Sequence, residues 1–443
     1  MRRFLLLFIL VLSVLFLQPW ACTKQDRTGS ELSDMIDGRI PILLPSQVNY
    51  SKLSRNYIAD KRYAIDKFCA KFWSSDQSNL SFLVAKNGQI IYERYQGLGK
   101  RETQTPITAE TPLHIASVSK VVTATAVLLL VNKNQISLDQ KVNSILPSFP
   151  YPEVTIRSLL AHRSGMRNYA YFTEDPGVWD RNQTLSNQDV LRLLGEKNIQ
   201  LESPSNSHFS YCNTNYAILA LVIEKITGLG YPEAIQKMIF TPLGMSHSFV
   251  FELDKDQETA MPSYKGNNIR LAYDYLDAVY GDKNIFSTPR DLLKFDLARK
   301  SDQFVSPELR KQIYQGYSNE RKGVKNYGLG IRMMEWENGK NFYFHNGWWH
   351  GSTSTYITLL DENVTIIGLS NKFTKNVYAS RKLASLFGDY PFEMEEDEWF
   401  FCFKFQVSSC ENYTKRSNIK KNYSEAELQS NLKLETWNNI YIS

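Results

Sequence analysis

The sequence of 443 residues predicts an α+β fold, with an antiparallel sheet built from both ends of one domain and a helical subdomain inserted between them. Three observations lead to this prediction. Residues 80–94 have the pattern of a hairpin, residues 117 to about 320 read mainly as helices and loops, and strand patterns return in residues 342–370. Hydrophobic residues make up 43% of the chain, which is enough apolar material for a sizeable core.

The N-terminus has the composition of a secretory signal. Arg2 and Arg3 precede the uncharged residues 4–17, and this apolar run is too short for a comfortable membrane span. We therefore expect residues 1–21 to be a signal peptide and the protein to be exported to the cell envelope or periplasm. Without these two arginines, 49 of the 51 basic residues remain against 46 acidic ones, so the charge gives no reason to expect a nucleic-acid partner.

Cys22 follows this segment and resembles the lipidated cysteine of a bacterial lipoprotein signal. Pro19 stands where that pattern usually has leucine, so the alternative is ordinary cleavage nearby, with Cys22 an incidental thiol. Lipidation at Cys22 would anchor the protein to the membrane. Residues 22–55 are polar and interrupted by two glycines and two prolines, which predicts a tether.

The catalytic domain is predicted at residues 56–390, with a mostly helical insertion at about 135–320. Asn87 and Gly88 separate two apolar runs and predict the hairpin turn. Residues 391–443 differ in composition and are treated as an extension of unknown role. The pattern predicts helices at 57–73, 117–132, 156–162, 188–195, 215–227 and 290–298, and late strands at 342–344, 354–360 and 364–370.

The five cysteines give no sign of a metal site. None lies in a Cys-x-x-Cys pair, so no zinc or other cofactor is expected. Cys402 and Cys410 are near enough in sequence to pair in an oxidising compartment, but their spacing alone does not establish a disulfide.

Ser117 and Lys120 form a Ser-x-x-Lys pair at the start of an apolar helical run. Residues three apart share a helix face, so the Lys120 amine can approach the Ser117 hydroxyl and take its proton. The free backbone N–H groups of a helix start also suit a developing oxyanion. Two further matches begin at Ser417 and Ser430, but they lie in the polar tail and lead into no apolar helix.

Tyr211 and Asn213 lead directly into the apolar helical segment at 217–226. Tyr211 can act as a general base if a nearby cation such as Lys120 stabilises its phenolate, and Asn213 can hold Lys120 and a substrate carbonyl or amide. The alternative for Tyr211 is a half-buried tyrosine with a satisfied hydroxyl.

His345, Gly347 and Trp348 belong to a third motif at the end of a predicted strand. The glycine lets the strand backbone approach a ligand closely, and His345 can bind or polarise a substrate at neutral pH. The alternative is a strand end with a satisfied surface histidine. His345 and His350 make a poor metal pair, because no acidic or cysteine partner lies at ligand spacing.

The order of these three motifs resembles the class C β-lactamase and penicillin-binding-protein family, which includes esterases and D-amino-acid peptidases. The resemblance spans about residues 57–388. It is supported by shorter similar stretches at Leu159–Met166, Thr241–Met245, Phe286–Phe295 and Tyr327–Gly330.

This resemblance implies a β-lactamase/transpeptidase-like fold with Ser117 as the acylated nucleophile. Lys120 and Tyr211 would share the general-base and general-acid work, and Asn213 would orient Lys120 and the substrate. The backbone N–H groups of Ser117 and Trp348 would form the oxyanion hole.

We therefore expect a serine hydrolase that acts through an acyl-enzyme on small esters, amides or D-amino-acid peptides. The alternatives are a penicillin- or peptidoglycan-binding protein without turnover, a true β-lactamase, and a structural envelope lipoprotein. The family's β-lactamases usually carry lysine where this chain has His345, and an imidazole is charged in roughly a quarter of molecules at pH 7. Weak binding of carboxylates is therefore expected, with Trp348 and Trp349 favouring apolar groups, unless Arg163 or Arg332 supplies the missing charge.

Overall fold

The computed structural model describes residues 51–74, 78–302, 304–320 and 323–392, and its largest feature is a seven-stranded antiparallel sheet. The strands are β1 Leu80–Lys86, β2 Gln89–Gln96, β3 Leu98–Lys100, β4 Thr105–Pro106, β5 Leu113–His114, β6 Phe249–Val250, β7 Ile285–Ser287, β8 Lys325–Tyr327, β9 Arg332–Glu335, β10 Asn341–Trp349, β11 Ser352–Leu359 and β12 Val364–Ser370.

The large sheet has the order β2-β1-β12-β11-β10-β9-β8, so the early hairpin pairs directly with the last strand. Val84 lies opposite Ile366 in that pairing. Both ends of the domain therefore build one sheet, which confirms the predicted α+β fold. Strands β5, β7 and β6 form a smaller sheet, and β3 pairs with β4.

Between β5 and β8 the chain consists mainly of helices and loops. The described helices are α1 Arg55–Phe72, α2 Ser119–Asn132, α3 Ile156–Leu160, α4 Tyr169–Phe172, α5 Asn187–Glu196, α6 Asn213–Thr227, α7 Tyr231–Ile235, α8 Leu253–Asp256, α9 Pro289–Arg299, α10 Pro307–Ile313 and α11 Asn376–Ala379. Shorter helical turns lie at Ala116–Val118, Val142–Ser144, Gln236–Phe240 and Ser380–Leu386.

Several helix starts differ from the predicted ones, and at α1 a side-chain hydrogen bond sets the start. Ser54 accepts a hydrogen bond from the Tyr57 N–H, so α1 begins at Arg55, inside the stretch predicted as tether. α6 begins at Asn213 instead of residue 215. The predicted helix from Ser117 begins as a tight 3₁₀ turn and becomes α-helical at Ser119.

The sheet separates two apolar cores. Helices α2 and α6 contact each other on one side, within the larger core. Helix α1 packs on the other face of the sheet, together with Val377, Leu383 and Ala384. Because α2 is apolar on nearly all sides and buried along most of its length, its first turn lies inside the domain. This position places Ser117 and Lys120 at the junction of the helical part and strand β10.

Some predictions concern residues outside the described ranges. These are the signal peptide, lipidation at Cys22, most of the tether, the extension from residue 393 onward and the pairing of Cys402 with Cys410. They stay predictions. Among the described residues, no helix has the length and apolar character needed to cross a bilayer.

Candidate active site

Ser117 is held in a strained turn between β5 and α2. Ala116 has a φ of 49°, which is a left-handed conformation that alanine rarely adopts. Its N–H donates to Nδ1 of His114 at 3.0 Å. The Ile115 N–H donates to the Ile285 carbonyl of β7 at 2.9 Å. These bonds fix the backbone of the turn, so the strain is supported by its surroundings.

His114 has one tautomer in this arrangement. Its Nδ1 accepts the Ala116 N–H, so the proton lies on Nε2, which faces Asn284 Oδ1 at 3.3 Å. Burial lowers the pKa of His114 to about 4. The imidazole is therefore neutral at pH 7 and serves as a fixed acceptor for the turn that carries Ser117.

Lys120 is fully buried and points at the Ser117 hydroxyl. Its Nζ lies 3.1 Å from Ser117 Oγ and donates to the Asp282 carbonyl at 2.8 Å. The two bonds leave one further Nζ position for a substrate or another side chain. The structure thus brings together the two residues of the first motif.

A buried charged network lies behind Lys120 and was not found from the sequence. The Tyr169 hydroxyl donates to Asp282 Oδ2 at 3.0 Å, and Lys283 Nζ donates to the same hydroxyl at 2.5 Å. Burial lowers the pKa of Lys283. The sequence signal that could have found this network is Gly281, followed at once by two charged residues before an apolar strand. In the structure Gly281 has a φ of 95°, which requires glycine.

Tyr211 and Asn213 reach the same region from the start of α6. Lys120 Nζ lies 5.1 Å from the centre of the Tyr211 ring. The Tyr211 hydroxyl and Asn213 Oδ1 are buried and have no hydrogen-bond partner within the described part of the chain. The expected hydrogen bond between Lys120 and Asn213 is absent among the described residues, where Lys120 bonds to the Ser117 hydroxyl and the Asp282 carbonyl.

His162 holds the loop that carries Tyr211. Its Nδ1 accepts from the Cys212 N–H at 3.1 Å and from Asn215 Nδ2 at 3.0 Å. Burial and the charges of Lys120 and Arg332 hold its pKa well below the usual value. His162 therefore stays neutral and fixes the start of α6.

Gly347 allows strand β10 to lie against the nucleophile turn. A Cβ at this position would come within 2.5 Å of the Ile115 carbonyl oxygen and 2.9 Å of the Ser117 nitrogen. The Ser354 hydroxyl of β11 donates to the same carbonyl at 2.6 Å. The strand therefore brings the backbone around Gly347 and Trp348 close to Ser117.

The side chains of Trp348 and Trp349 have different surroundings. Side chains alternate along a strand, so the Trp348 side chain lies on the face of β10 opposite to that of residue 347. It is 42% exposed and its ring centre lies 5.9 Å from that of Phe373. Trp349 packs against the larger core and donates to Asp277 Oδ1 at 2.6 Å. Of the two rings that were expected to favour apolar groups, the Trp348 ring thus lies against Phe373 and the Trp349 ring against the larger core.

His345 is neutral in this fold. Nδ1 donates to the Asn346 carbonyl at 2.8 Å, and Nε2 accepts from the Tyr327 hydroxyl at 3.2 Å. Burial and the charges of Arg332 and Lys120 hold the pKa of His345 well below its usual value. The expected fraction of charged imidazole at pH 7 is therefore wrong, and so is the alternative of a surface histidine, because the residue is fully buried.

Arg332 supplies a fixed positive charge that His345 does not. Its guanidinium carbon lies 4.6 Å from the centre of the Tyr211 ring. Its Nη2 is buried and has no hydrogen-bond partner among the described residues. Arg163 is engaged elsewhere, since it pairs with Glu320 at 2.9 Å.

His350 has acidic partners that are distant in sequence. Its Nε2 lies 2.9 Å from Asp277 Oδ2. Burial raises the pKa of Asp277, but the hydrogen bond and charge of His350 outweigh it and hold that pKa below its usual range. Asp274 lies close to both. Trp349, His350 and the Asp274 N–H already bond to the Asp277 carboxylate, which accounts for this cluster without a metal ion.

A profile of the β-lactamase family matches residues 65–387, well over half of the chain. The chain belongs to the β-lactamase family. All the site residues described above lie within the matched range. As a member of this family, the protein is a serine hydrolase.

Individual relatives give the same assignment. The chain is 28% identical over 360 residues to penicillin-binding protein 4* of Bacillus subtilis (strain 168), which covers 76% of this chain and 78% of the relative. It is 28% identical over 300 residues to a D-aminopeptidase of Brucella anthropi, which covers 65% of this chain and 55% of the relative.

A penicillin-binding protein from Bacillus halodurans has a similar fold, with a TM-score of 0.63 at 21% identity over 73% of this chain and 99% of that one. A D-stereospecific amidohydrolase from Streptomyces sp. superposes with a TM-score of 0.57 at 20% identity over 72% of this chain and 98% of that one. These likenesses confirm the β-lactamase/transpeptidase-like fold.

Proposed function

We propose that this protein hydrolyses amide bonds of D-amino-acid peptides through an acyl-enzyme on Ser117. The observation that carries the proposal is the buried Lys120 Nζ, 3.1 Å from Ser117 Oγ. A neutral amine at this distance can take the hydroxyl proton while Oγ attacks the substrate carbonyl carbon. Water then releases the acyl group and regenerates the Ser117 hydroxyl.

The second step of proton handling falls to Tyr211. The leaving nitrogen of an amide must gain a proton, and the buried Tyr211 hydroxyl, which has no protein partner among the described residues, can give it. Tyr211 then regains a proton from Lys120, which has taken the one from Ser117. Asn213 Oδ1 is buried and unpartnered in the same way, so a substrate N–H is the donor that would satisfy it. The backbone N–H groups of Ser117 and Trp348 are the proposed oxyanion donors.

Arg332 favours a substrate with a carboxylate. An unpartnered guanidinium nitrogen beside the candidate base is a donor for a carboxylate oxygen, and such charge-assisted bonds are strong. A peptide whose last residue is the leaving group carries its carboxylate close to the scissile bond. The D configuration is proposed by analogy with the D-aminopeptidase relative.

A β-lactam also has a carboxylate, so Arg332 makes penicillin a ligand to test. Wild-type protein, Ser117→Ala and the matched controls Ser417→Ala and Ser430→Ala should be treated with a fluorophosphonate probe, a fluorescent penicillin and D-alanyl peptides. The proposal expects labelling and turnover in all variants except Ser117→Ala. Penicillin labelling without turnover of any peptide, amide or ester would favour the binding protein without turnover.

We also propose that the protein is exported and lipidated at Cys22, on the basis of the N-terminal pattern. Metabolic labelling with a fatty acid should mark the wild type and not Cys22→Ser. Equal label on both would refute lipidation, and a cytoplasmic protein with an intact N-terminus would refute export.

A further inference from the structure

A cleft of about 370 Å³ opens beside Tyr211, next to the proposed catalytic groups. Tyr211 is part of the cleft wall, and the Arg332 guanidinium stacks on the Tyr211 ring. A molecule bound across Tyr211 can therefore reach both Arg332 and the cleft. The other lining residues include Met166, Asn168, Tyr171, Glu202 and Ser210.

The position of Glu202 in the cleft is set by its backbone. The Glu202 N–H donates to the Gly165 carbonyl at 2.8 Å. Gly165 has a φ of +76°, and a Cβ there would lie 1.9 Å from the Ser203 carbonyl oxygen. Only glycine allows this close contact, so the segment at 202–203 is held against residue 165 and Glu202 is placed at the cleft.

The charge of the cleft is negative. Among the described residues, no hydrogen bond or ion pair reaches the exposed Glu202 carboxylate. Arg167 lies near enough for Glu202 to raise its pKa, but its guanidinium is bonded to both Asp175 carboxylate oxygens. Burial raises the pKa of the lining Cys212 thiol to about 11, so the thiol adds no charge. Glu202 is thus the uncompensated charge.

We propose that this cleft binds a protonated amine on the acyl part of the substrate, and that Glu202 selects it. The inference rests on the proposed function, because a leaving-group carboxylate at Arg332 directs the acyl part across Tyr211 toward the cleft. The amine can be the α-amine of a D-aminoacyl group or the side-chain amine of a diamino acid. Both present the same ammonium group to Glu202.

Two matched pairs of p-nitroanilides separate these sources. D-alanine anilide is compared with its N-acetyl form, and Nα-acetyl-D-lysine anilide is compared with Nα-acetyl-D-norleucine anilide. In each pair only one member carries an ammonium group. The wild type should prefer the ammonium member of at least one pair about fivefold in kcat/KM, since the Glu202 carboxylate is exposed and its charge is screened by solvent. The preferred pair identifies the source.

Glu202→Gln keeps the size of the side chain and removes its charge, so the preference should fall to near one. Glu258→Gln changes an exposed carboxylate on another loop and should keep the wild-type preference. The wild-type preference should also shrink as salt is raised. A wild-type ratio near one in both pairs, or an unchanged ratio in Glu202→Gln, would overturn the amine site while the hydrolase function stands. Fluorophosphonate labelling of Ser117 without hydrolysis of any anilide or D-alanyl peptide would instead refute amide hydrolysis, and the amine site with it.

Discussion

Gly347→Ala tests whether the close approach of β10 to Ser117 is needed for catalysis. The added Cβ would meet Ser354 Oγ at 2.3 Å, the Ile115 carbonyl oxygen at 2.5 Å and the Ser117 nitrogen at 2.9 Å. Real Cβ contacts stay beyond about 3.0 Å, and two of these three atoms belong to the backbone. The strand must therefore move away from the nucleophile turn by about half an ångström or more.

The size of the effect follows from two costs. Overpacking of a well-packed region destabilises a protein by about 1–3 kcal/mol. The shift also moves the Trp348 N–H away from Ser117, and the loss of one oxyanion donor typically costs about 10²–10³ in rate. We expect kcat/KM to fall about a hundredfold while the melting temperature falls by only a few degrees.

The assay measures kcat/KM on a D-alanyl anilide, the rate of fluorophosphonate labelling and the melting temperature. Gly195→Ala in helix α5 is the matched control, because a Cβ at residue 195 would meet no atom closer than 3.8 Å. It should keep its activity and its fold. A folded Gly347→Ala variant with activity within threefold of the wild type would show that catalysis does not need the close approach of β10 to Ser117.

Three further predictions concern charged groups. Lys283→Met leaves the Asp282 carboxylate buried without its cation, so the free energy of unfolding should fall by about 3–5 kcal/mol in denaturant titrations, and adding Asp282→Asn should restore most of it. His114 has a pKa of about 4 in the fold and about 6.5 when unfolded, so the unfolded chain binds the extra proton between these pH values. Stability should therefore fall by about 3 kcal/mol from pH 7 to pH 4, with a smaller slope in His114→Asn; equal slopes would contradict this. Arg332→Met should raise KM about tenfold for peptides with a free carboxylate and leave their amidated forms nearly unaffected; an equal rise for both would argue against a carboxylate site.

Five strands of the large sheet (β1, β2, β10, β11 and β12) could be predicted from local patterns, whereas the short edge strands β8 and β9 were not predicted. Asn87 and Gly88 indicated the hairpin, and the apolar runs near residues 354–370 indicated the buried strands of the sheet. Helix starts were less accurate, and for α1 the reason is a side-chain cap. Ser54, for example, begins α1 within the polar stretch predicted as a tether.

The site could be predicted only where its residues are close together in sequence. Ser117 and Lys120 share one turn, so their contact follows from helix geometry. Arg332 and Asp282 reach the site through strand pairing and a buried loop, and no local pattern joins them to Ser117. The charge state of His345 depends on burial and on Arg332, so the value for a free imidazole was misleading.

Mass spectrometry can show whether Ser117 forms the acyl-enzyme. The acyl-enzyme would be trapped with a fluorophosphonate or a penicillin, the intact mass of the protein would be measured, and the modified peptide would then be identified by peptide mapping. We expect a single adduct on the peptide containing Ser117, and Ser117→Ala should lose both the adduct and about a million-fold in rate. An adduct on another peptide, or a Ser117→Ala variant that keeps more than a few per cent of activity, would contradict it.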